Sequence, residues 1–205
     1  MKNNYLKYWS VPFITFFAFL LIAFMVCNVQ GVTVFDIKII HFLQNLLTCI
    51  TPECAAKISL FHHNCSGIIL LGVLFFLIYK KDFKLAMLYL VSDYTCRGVV
   101  TFFKEIIQRH RPPVEIQPLY HPDDFSFPSG HSYAVMLFLG LMIYIIFKYV
   151  ENKVVKYILT LICTVIIILV GLSRLLLAVH YPTDVCAGFL LGFTVVAIVW
   201  IVDKK

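Results

Sequence analysis

The sequence predicts an all-α polytopic membrane protein: six transmembrane helices, with an interfacial helix after the first span. Three observations carry that prediction. The first is composition: 61% of the 205 residues are hydrophobic and only 14% are charged, against roughly 45–50% apolar and about 25% charged in a soluble domain. The second is that the apolar residues gather into runs of bilayer-spanning length. The third is that lysines collect where those runs end. So short a chain has no core large enough to absorb this apolar excess, which therefore faces lipid. A pair of soluble domains and a disordered chain are both excluded.

The first span reads as Val11 to Val29. It follows a basic start, but it is too long for a signal-peptide core and has no small-residue cleavage site. Val34 to Ile50 is different. Phe35, Ile39, Phe42, Leu43, Leu46 and Leu47 recur at helical spacing, with Asp36, Lys38, His41, Gln44 and Asn45 between them. That pattern predicts the amphipathic helix at the outer interface, with an irregular loop as the alternative. The second span runs from about Cys65 to Tyr79 and is stopped by Lys80, Lys81 and Asp82. The third covers Leu85 to Phe103, the fourth Ser132 to Tyr149, the fifth Val154 to Val179 and the sixth Val185 to Val202. The chain reads as one membrane-embedded domain over residues 1–205, without repeats or low-complexity tracts.

The net charge is +6, from 17 Lys and Arg against 11 Asp and Glu. Ten of the basic residues (Lys2, Lys7, Lys80, Lys81, Lys84, Lys148, Lys153, Lys156, Lys204 and Lys205) fall on one side of a six-span layout. Outside the residues of the candidate site, the other side carries only Lys38, Lys57 and Arg109. The positive-inside rule then makes the termini cytoplasmic and turns the loops after the first, third and fifth spans outward. No basic patch interleaved with aromatics points to nucleic acid. Of the 7 cysteines, most sit in apolar spans. Cys49, Cys54 and Cys65 lie near the outer face, where one disulfide is open to them, and no spacing resembles a metal site.

The outer loops carry the chemistry. The one after the third span is long and rich in proline, holding Pro112, Pro113, Pro118, Pro122 and Pro128, so it cannot be regular helix. Lys104 and Arg111 stand at its start and Pro128-Ser129-Gly130-His131 at its end. The short loop after the fifth span carries Ser173, Arg174, His180 and Asp184. Lys104, Arg111 and Arg174 are cations at the edge of lipid with no acidic cluster to match them, which calls for an anion. Forked Arg donors suit phosphate oxygens. The N-terminus of the fourth span, opened by Ser129 and Gly130, adds backbone N–H groups.

Two histidines beside a phosphate imply chemistry. A neutral imidazole attacks phosphorus, and a protonated one gives its proton to the leaving oxygen. Asp184, four residues after His180, is placed to orient that ring. The roles assigned are nucleophile for His180, orienter for Asp184 and general acid for His131. His41, His62, His63, His110 and His121 read as ordinary interfacial histidines, and Asp123 and Asp124 as solvated loop charges, with pairing of one of the two to a site cation as the alternative. Asp93 and Arg97 lie four apart inside the third span, sharing a helix face. They read first as a buried ion pair, and otherwise as support for the phosphate site or for a second phosphate. Arg109 and His110 are further candidate cations for a pyrophosphate.

Lys104 with Arg111-Pro112, then Pro128-Ser129-Gly130-His131, then Ser173-Arg174 with His180 and Asp184, resemble the three motifs of the type-2 phosphatidic acid phosphatase family in order, spacing and residue type. The motifs occupy residues 104–112, 128–131 and 173–184. The resemblance implies a single membrane-embedded phosphatase domain that hydrolyses a phosphate monoester or pyrophosphate on a lipid, without metal or cofactor, through a phosphohistidine. It implies phosphate contacts from Lys104, Arg111, Ser129, Gly130, His131 and Arg174. Undecaprenyl pyrophosphate, phosphatidylglycerophosphate, phosphatidic acid and a lipid A phosphate are the substrates it suggests. The expected setting is a bacterial inner membrane, with the site on the periplasmic or outer face, and no obligate protein partner. A lipid phosphotransferase using the same phosphohistidine is the alternative function. A transporter or channel lined by Asp93 and Arg97 is a remote one, since it leaves both histidine motifs without a role.

Overall fold

The computed structural model describes residues 8–204, with side chains at all of these except 61–66. The sequence-based expectations on Lys2, Lys7 and Lys205, and those on the side chains of His62, His63 and Cys65, lie outside the described residues. Seven α-helices follow in order: α1 Ser10–Asn28, α2 Gly31–Leu46, α3 Pro52–Tyr79, α4 Phe83–Ile107, α5 Gly130–Tyr149, α6 Lys153–Leu176 and α7 Pro182–Asp203. A short 3₁₀ turn, Val114–Ile116, interrupts the long loop between α4 and α5.

Local chemistry sets the helix starts. Thr51 accepts a hydrogen bond from the Cys54 amide (3.3 Å), and Pro52 occupies the first turn of α3. Asp82 caps α4 at the Leu85 amide (3.2 Å), and Asn152 caps α6 at the Val154 and Val155 amides (3.0 and 3.2 Å). Each oxygen satisfies a donor that the helix itself cannot.

Four helices, α1, α5, α6 and α7, are long and apolar enough to cross a membrane. They are four of the six spans expected from the sequence. α4 has the length but is interrupted by Asp93 and Arg97. Within α3 the stretch Gly67–Tyr79 is apolar, and the first turns carry Glu53 and Lys57. Helix edges also move. The expected second span, Cys65 to Tyr79, is the inner half of a helix that begins at Pro52. α4 runs past Phe103 to Ile107, so Lys104 sits in its last turn. The helix expected at Val34 to Ile50 is present as α2, starting three residues and ending four residues earlier.

α5 and α7 form the centre, with α1, α4 and α6 packed on them and α3 on α4 and α6. α5 buries residues all round its circumference, including Tyr133, Val135, Leu137, Phe138 and Leu141, as a helix enclosed by others must. α1 and α6 leave Phe13, Phe17, Leu161 and Ile168 exposed, as helices bordering lipid do. α5 and α7 approach closely because α7 presents glycine. A methyl group built at Gly188 would lie 2.6 Å from the Ser129 carbonyl oxygen, and one at Gly192 would lie 2.8 Å from that of Tyr133.

The far end of the bundle is tied by charge. Lys148 pairs with Asp82 (2.7 Å) and Asp203 (2.5 Å), joining the α3–α4 turn, α5 and α7. Tyr144 donates to Asp203 (2.5 Å) and Tyr149 to Asp82. Cys49 and Cys54 are free thiols.

Candidate active site

The three motifs meet at the end of the bundle opposite Lys148. α4 ends when Gln108 takes a left-handed conformation (φ 49°), and the chain leaves as an irregular loop. The loop folds back on itself: the Ser126 amide donates to the Arg109 carbonyl (2.8 Å), and the Ser126 hydroxyl to that of His110 (3.2 Å). Phe127 is wholly buried and stacked on Phe19 of α1 (5.8 Å), which anchors the loop just before Ser129. Ser129 then caps α5, accepting from the Ser132 amide (3.4 Å), while its own amide donates to the Asp184 carbonyl (3.0 Å). That bond joins the second motif to the third through the backbone. After α6, Ala178 adopts φ 47°, so the chain reverses within a few residues and returns His180 toward the cations.

His180 is buried. Its Nδ1 lies 2.8 Å from the Ser126 carbonyl oxygen and 3.6 Å from Asp184 Oδ2. A carbonyl only accepts, so Nδ1 carries the proton and Nε2 keeps its lone pair. The sequence-based expectation had Asp184 orienting this ring, but the nearer acceptor is Ser126. Burial pushes the His180 pKa well below the ordinary imidazole value, and Arg111, Arg174 and Lys104 push it the same way. All three expected phosphate cations therefore surround this one ring.

Each cation is held differently. Arg174 is 3% exposed. Its Nη1 donates to Ser59 of α3, its guanidinium lies 5.9 Å from the Tyr120 ring centroid, and its Nε is buried without a hydrogen-bond partner. An orphaned buried guanidinium N–H is costly and fits an anion acceptor. Arg111 donates through Nε to the Asp124 carbonyl (2.9 Å), and its Nη1 bonds the Val179 carbonyl and approaches His180 Nε2 at 3.4 Å. Arg111 and Lys104 both pair with the Asp124 carboxylate. Asp124 is thus exposed yet paired with two site cations: partial burial raises its pKa, but hydrogen bonds from Lys104 and Arg111 outweigh that and hold it down at about 2.

Asp184 is fully buried and, besides its 3.6 Å approach to His180, has a partner the sequence did not assign. It accepts from Arg109 Nη1 (2.5 Å) and from the Tyr181 amide (2.9 Å). Arg109 also pairs with Asp36 of α2 (2.8 Å), donates to Thr183 (2.7 Å) and stacks 3.9 Å over the Tyr181 ring. This corrects the reading of Arg109 as a cation for a pyrophosphate, since its donors are committed to two carboxylates. It also turns Asp36, read as a polar-face residue, into a core residue, because a buried guanidinium needs that counter-charge. Ser173 back-bonds to the Val170 carbonyl (2.7 Å) within its own helix.

A cavity of about 530 Å³ opens beside this cluster between α4 and α5, and Asp93, Arg97, Lys104, Asp124, Gly130 and His131 line it. Asp93 and Arg97 do not form the ion pair first read for them; they act on each other only at a distance. Sequence reasoning missed Asp36, Ser59, Thr183 and Ser126 as site-supporting residues and gave Arg109 a different role. For Asp36 and Arg109 a signal existed, the scarcity of charge in this chain. A backbone carbonyl such as that of Ser126 leaves none.

The PAP2 superfamily model matches residues 83–205. Phosphatidylglycerophosphatase B of Bacillus subtilis (strain 168) is 37% identical over 131 residues, a stretch covering 62% of this chain and 62% of that protein. The match thus spans less than two thirds of the relative's length. Decaprenylphosphoryl-5-phosphoribose phosphatase of Mycobacterium tuberculosis is 28% identical over 147 residues, covering 71% of this chain and 76% of that one. Among solved structures, a transmembrane PAP2 type phosphatidylglycerolphosphate phosphatase from Bacillus subtilis superposes with a TM-score of 0.77 at 29% identity, covering 95% of this chain and 96% of its own. Aquifex aeolicus LpxE shares the fold, with a TM-score of 0.57 at 20% identity over 80% and 93% of the two chains.

Proposed function

The chain belongs to the PAP2 superfamily, and from that premise we propose that it is an integral-membrane lipid phosphatase acting through a phosphohistidine at His180. The observation that carries the reading is the ring of Lys104, Arg111 and Arg174 about a buried His180 whose Nδ1 is pinned by the Ser126 carbonyl. The Nε2 lone pair is the one left for attack on phosphorus.

The cycle has two in-line steps. His180 Nε2 forms a bond to phosphorus while the bond to the lipid oxygen breaks, and His131 donates a proton to that oxygen. Water then attacks the phosphohistidine, with His131 taking its proton, and phosphate leaves as the His180–phosphorus bond breaks. Lys104, Arg111, Arg174 and the amides at Ser129 and Gly130 stabilise charge on the equatorial oxygens. The incoming phosphate displaces Asp124 from Lys104 and Arg111. Asp184 serves chiefly by holding Arg109 and the start of α7, directly after His180. Six spans with cytoplasmic termini, and the site on the outer face of a bacterial inner membrane, complete the proposal. The relatives' names point to phosphatidylglycerophosphate or a polyprenyl phosphate as substrate.

The test is phosphate release by purified protein from a panel of lipid phosphates, with His180→Ala beside it. Release retained in EDTA and abolished in the variant is the expected result. The pH profile of kcat/KM should be bell-shaped, with the acid limb of His180 below 6.5. A His180→Ala protein that turns over normally contradicts the assignment.

A further inference from the structure

We propose that Arg97 binds a second phosphate on the leaving-group side of the substrate, so that the α4–α5 cavity selects lipids whose headgroup carries another anionic phosphate nearer the membrane. The proposal rests on the lipid phosphatase reading and names a specificity-determining residue for it.

Direction comes first. In an in-line displacement the leaving oxygen stands opposite the nucleophile. His180 does not line the cavity, whereas His131, Gly130 and Lys104 do. The leaving group therefore enters the cavity, on the side of the general acid. Lys104 and Arg97 are seven residues apart on one face of α4, about 10 Å along the axis. Whatever joins the scissile phosphate to its lipid tails must run from Lys104 toward the bilayer, and so past Arg97.

Charge comes second. Arg97 is exposed and lines the inner part of the cavity. Among the described residues it forms no ion pair, Asp93 included. A guanidinium set into an apolar helix without a close counter-ion is expensive. A phosphodiester or phosphate oxygen pair would satisfy its fork. Between the two cations the wall is made of Val100, Thr101 and Leu137, neutral lining suited to an uncharged linker. Asp93, a turn deeper, repels an anion that goes further.

The experiment compares kcat/KM on two matched pairs, using purified protein and Arg97→Gln. One pair is phosphatidylglycerophosphate against phosphatidic acid with the same acyl chains. The other is farnesyl pyrophosphate against farnesyl monophosphate. In the variant, the ratio within at least one pair is expected to fall by about 10- to 100-fold, the loss of one charged hydrogen-bonding contact. A fall in the first pair places the second phosphate across a glycerol linker, and a fall in the second pair places it next to the scissile one. Two ratios unchanged in the variant overturn the proposal. The wild-type protein supplies a reading that no misfolded variant can spoil: one of the pairs must favour the doubly phosphorylated member, and preference for the single phosphate in both overturns the proposal equally. Release of no phosphate from any of the four lipids by the wild-type protein is the separate signature of a failed lipid phosphatase reading.

Discussion

On the proposed mechanism Asp124 occupies the place that a phosphate needs. Its carboxylate bridges Lys104 and Arg111, and with a pKa of about 2 it is ionised at neutral pH. A bound phosphate would then compete with it. Asp124→Asn keeps the shape and removes the charge, so inorganic phosphate should inhibit the variant at lower concentration. The expected fall in the inhibition constant is about tenfold, the scale of one charge-assisted hydrogen bond. A constant that is unchanged or higher would mean that Asp124 assembles the site and does not compete for it. At this scale the side chains of the three motifs were legible in the sequence, because each belongs to a chemistry its spacing announces. Ser126 was not: it acts through its carbonyl, which every residue possesses. For Asp124 the sequence left pairing with a site cation as the lesser alternative, because a carboxylate in a proline-rich loop usually faces only water, and the fold of the loop is what brings it to two cations.

At the level of elements, the contact that matters most is the one between α5 and α7. The second motif opens α5, the third opens α7, and the two are locked by the Ser129 amide on the Asp184 carbonyl. Gly188 lies directly behind that lock. Gly188→Ala would force a methyl group against the Ser129 carbonyl, and overpacking of this kind costs about 1–3 kcal/mol. Phosphate release and thermal unfolding of the purified variant should both fall. Gly72→Ala is the contrast: nothing lies within 4 Å of its added methyl group, and the substitution is expected to stabilise by about 0.5–1 kcal/mol. If Gly188→Ala also stabilised, the close approach would not hold. Helix existence was legible from apolar runs, but helix ends were less so. α3 continues outward to Pro52 because a Thr-Pro start is a good cap, and the hydropathy of Glu53 and Lys57 conceals it. Likewise α4 carries Lys104 beyond the apolar stretch that marks its span.

For the whole molecule, the lysine distribution remains the guide to orientation. On the proposed topology Cys49 and Cys54, both exposed free thiols, lie on the outer side with the site, and Lys204 on the inner side. A membrane-impermeant maleimide should label a variant retaining only Cys49 in intact cells. A cysteine-free variant bearing Lys204→Cys should react only after permeabilisation. The reverse pattern would invert the topology and place the site in the cytoplasm. Charge scarcity made this scale legible, yet it did not reveal which charges pair. Asp36 and Arg109 lie far apart in sequence, and only the packing of α2 on α6 and α7 closes the distance.

That pairing bears on how the protein can be divided. The superfamily match begins at residue 83, and every motif residue lies within it, so the segment looks like a portable cassette. Arg109 belongs to that segment, but half of its neutralisation comes from Asp36 outside it. Stripping one partner from a buried ion pair costs about 3–5 kcal/mol. A chimera that joined residues 83–205 to foreign leading helices would inherit a stranded guanidinium against Asp184 unless a carboxylate were supplied at the position of Asp36. The heritable unit is the whole bundle, and the catalytic cassette is complete only in the company of its first helices.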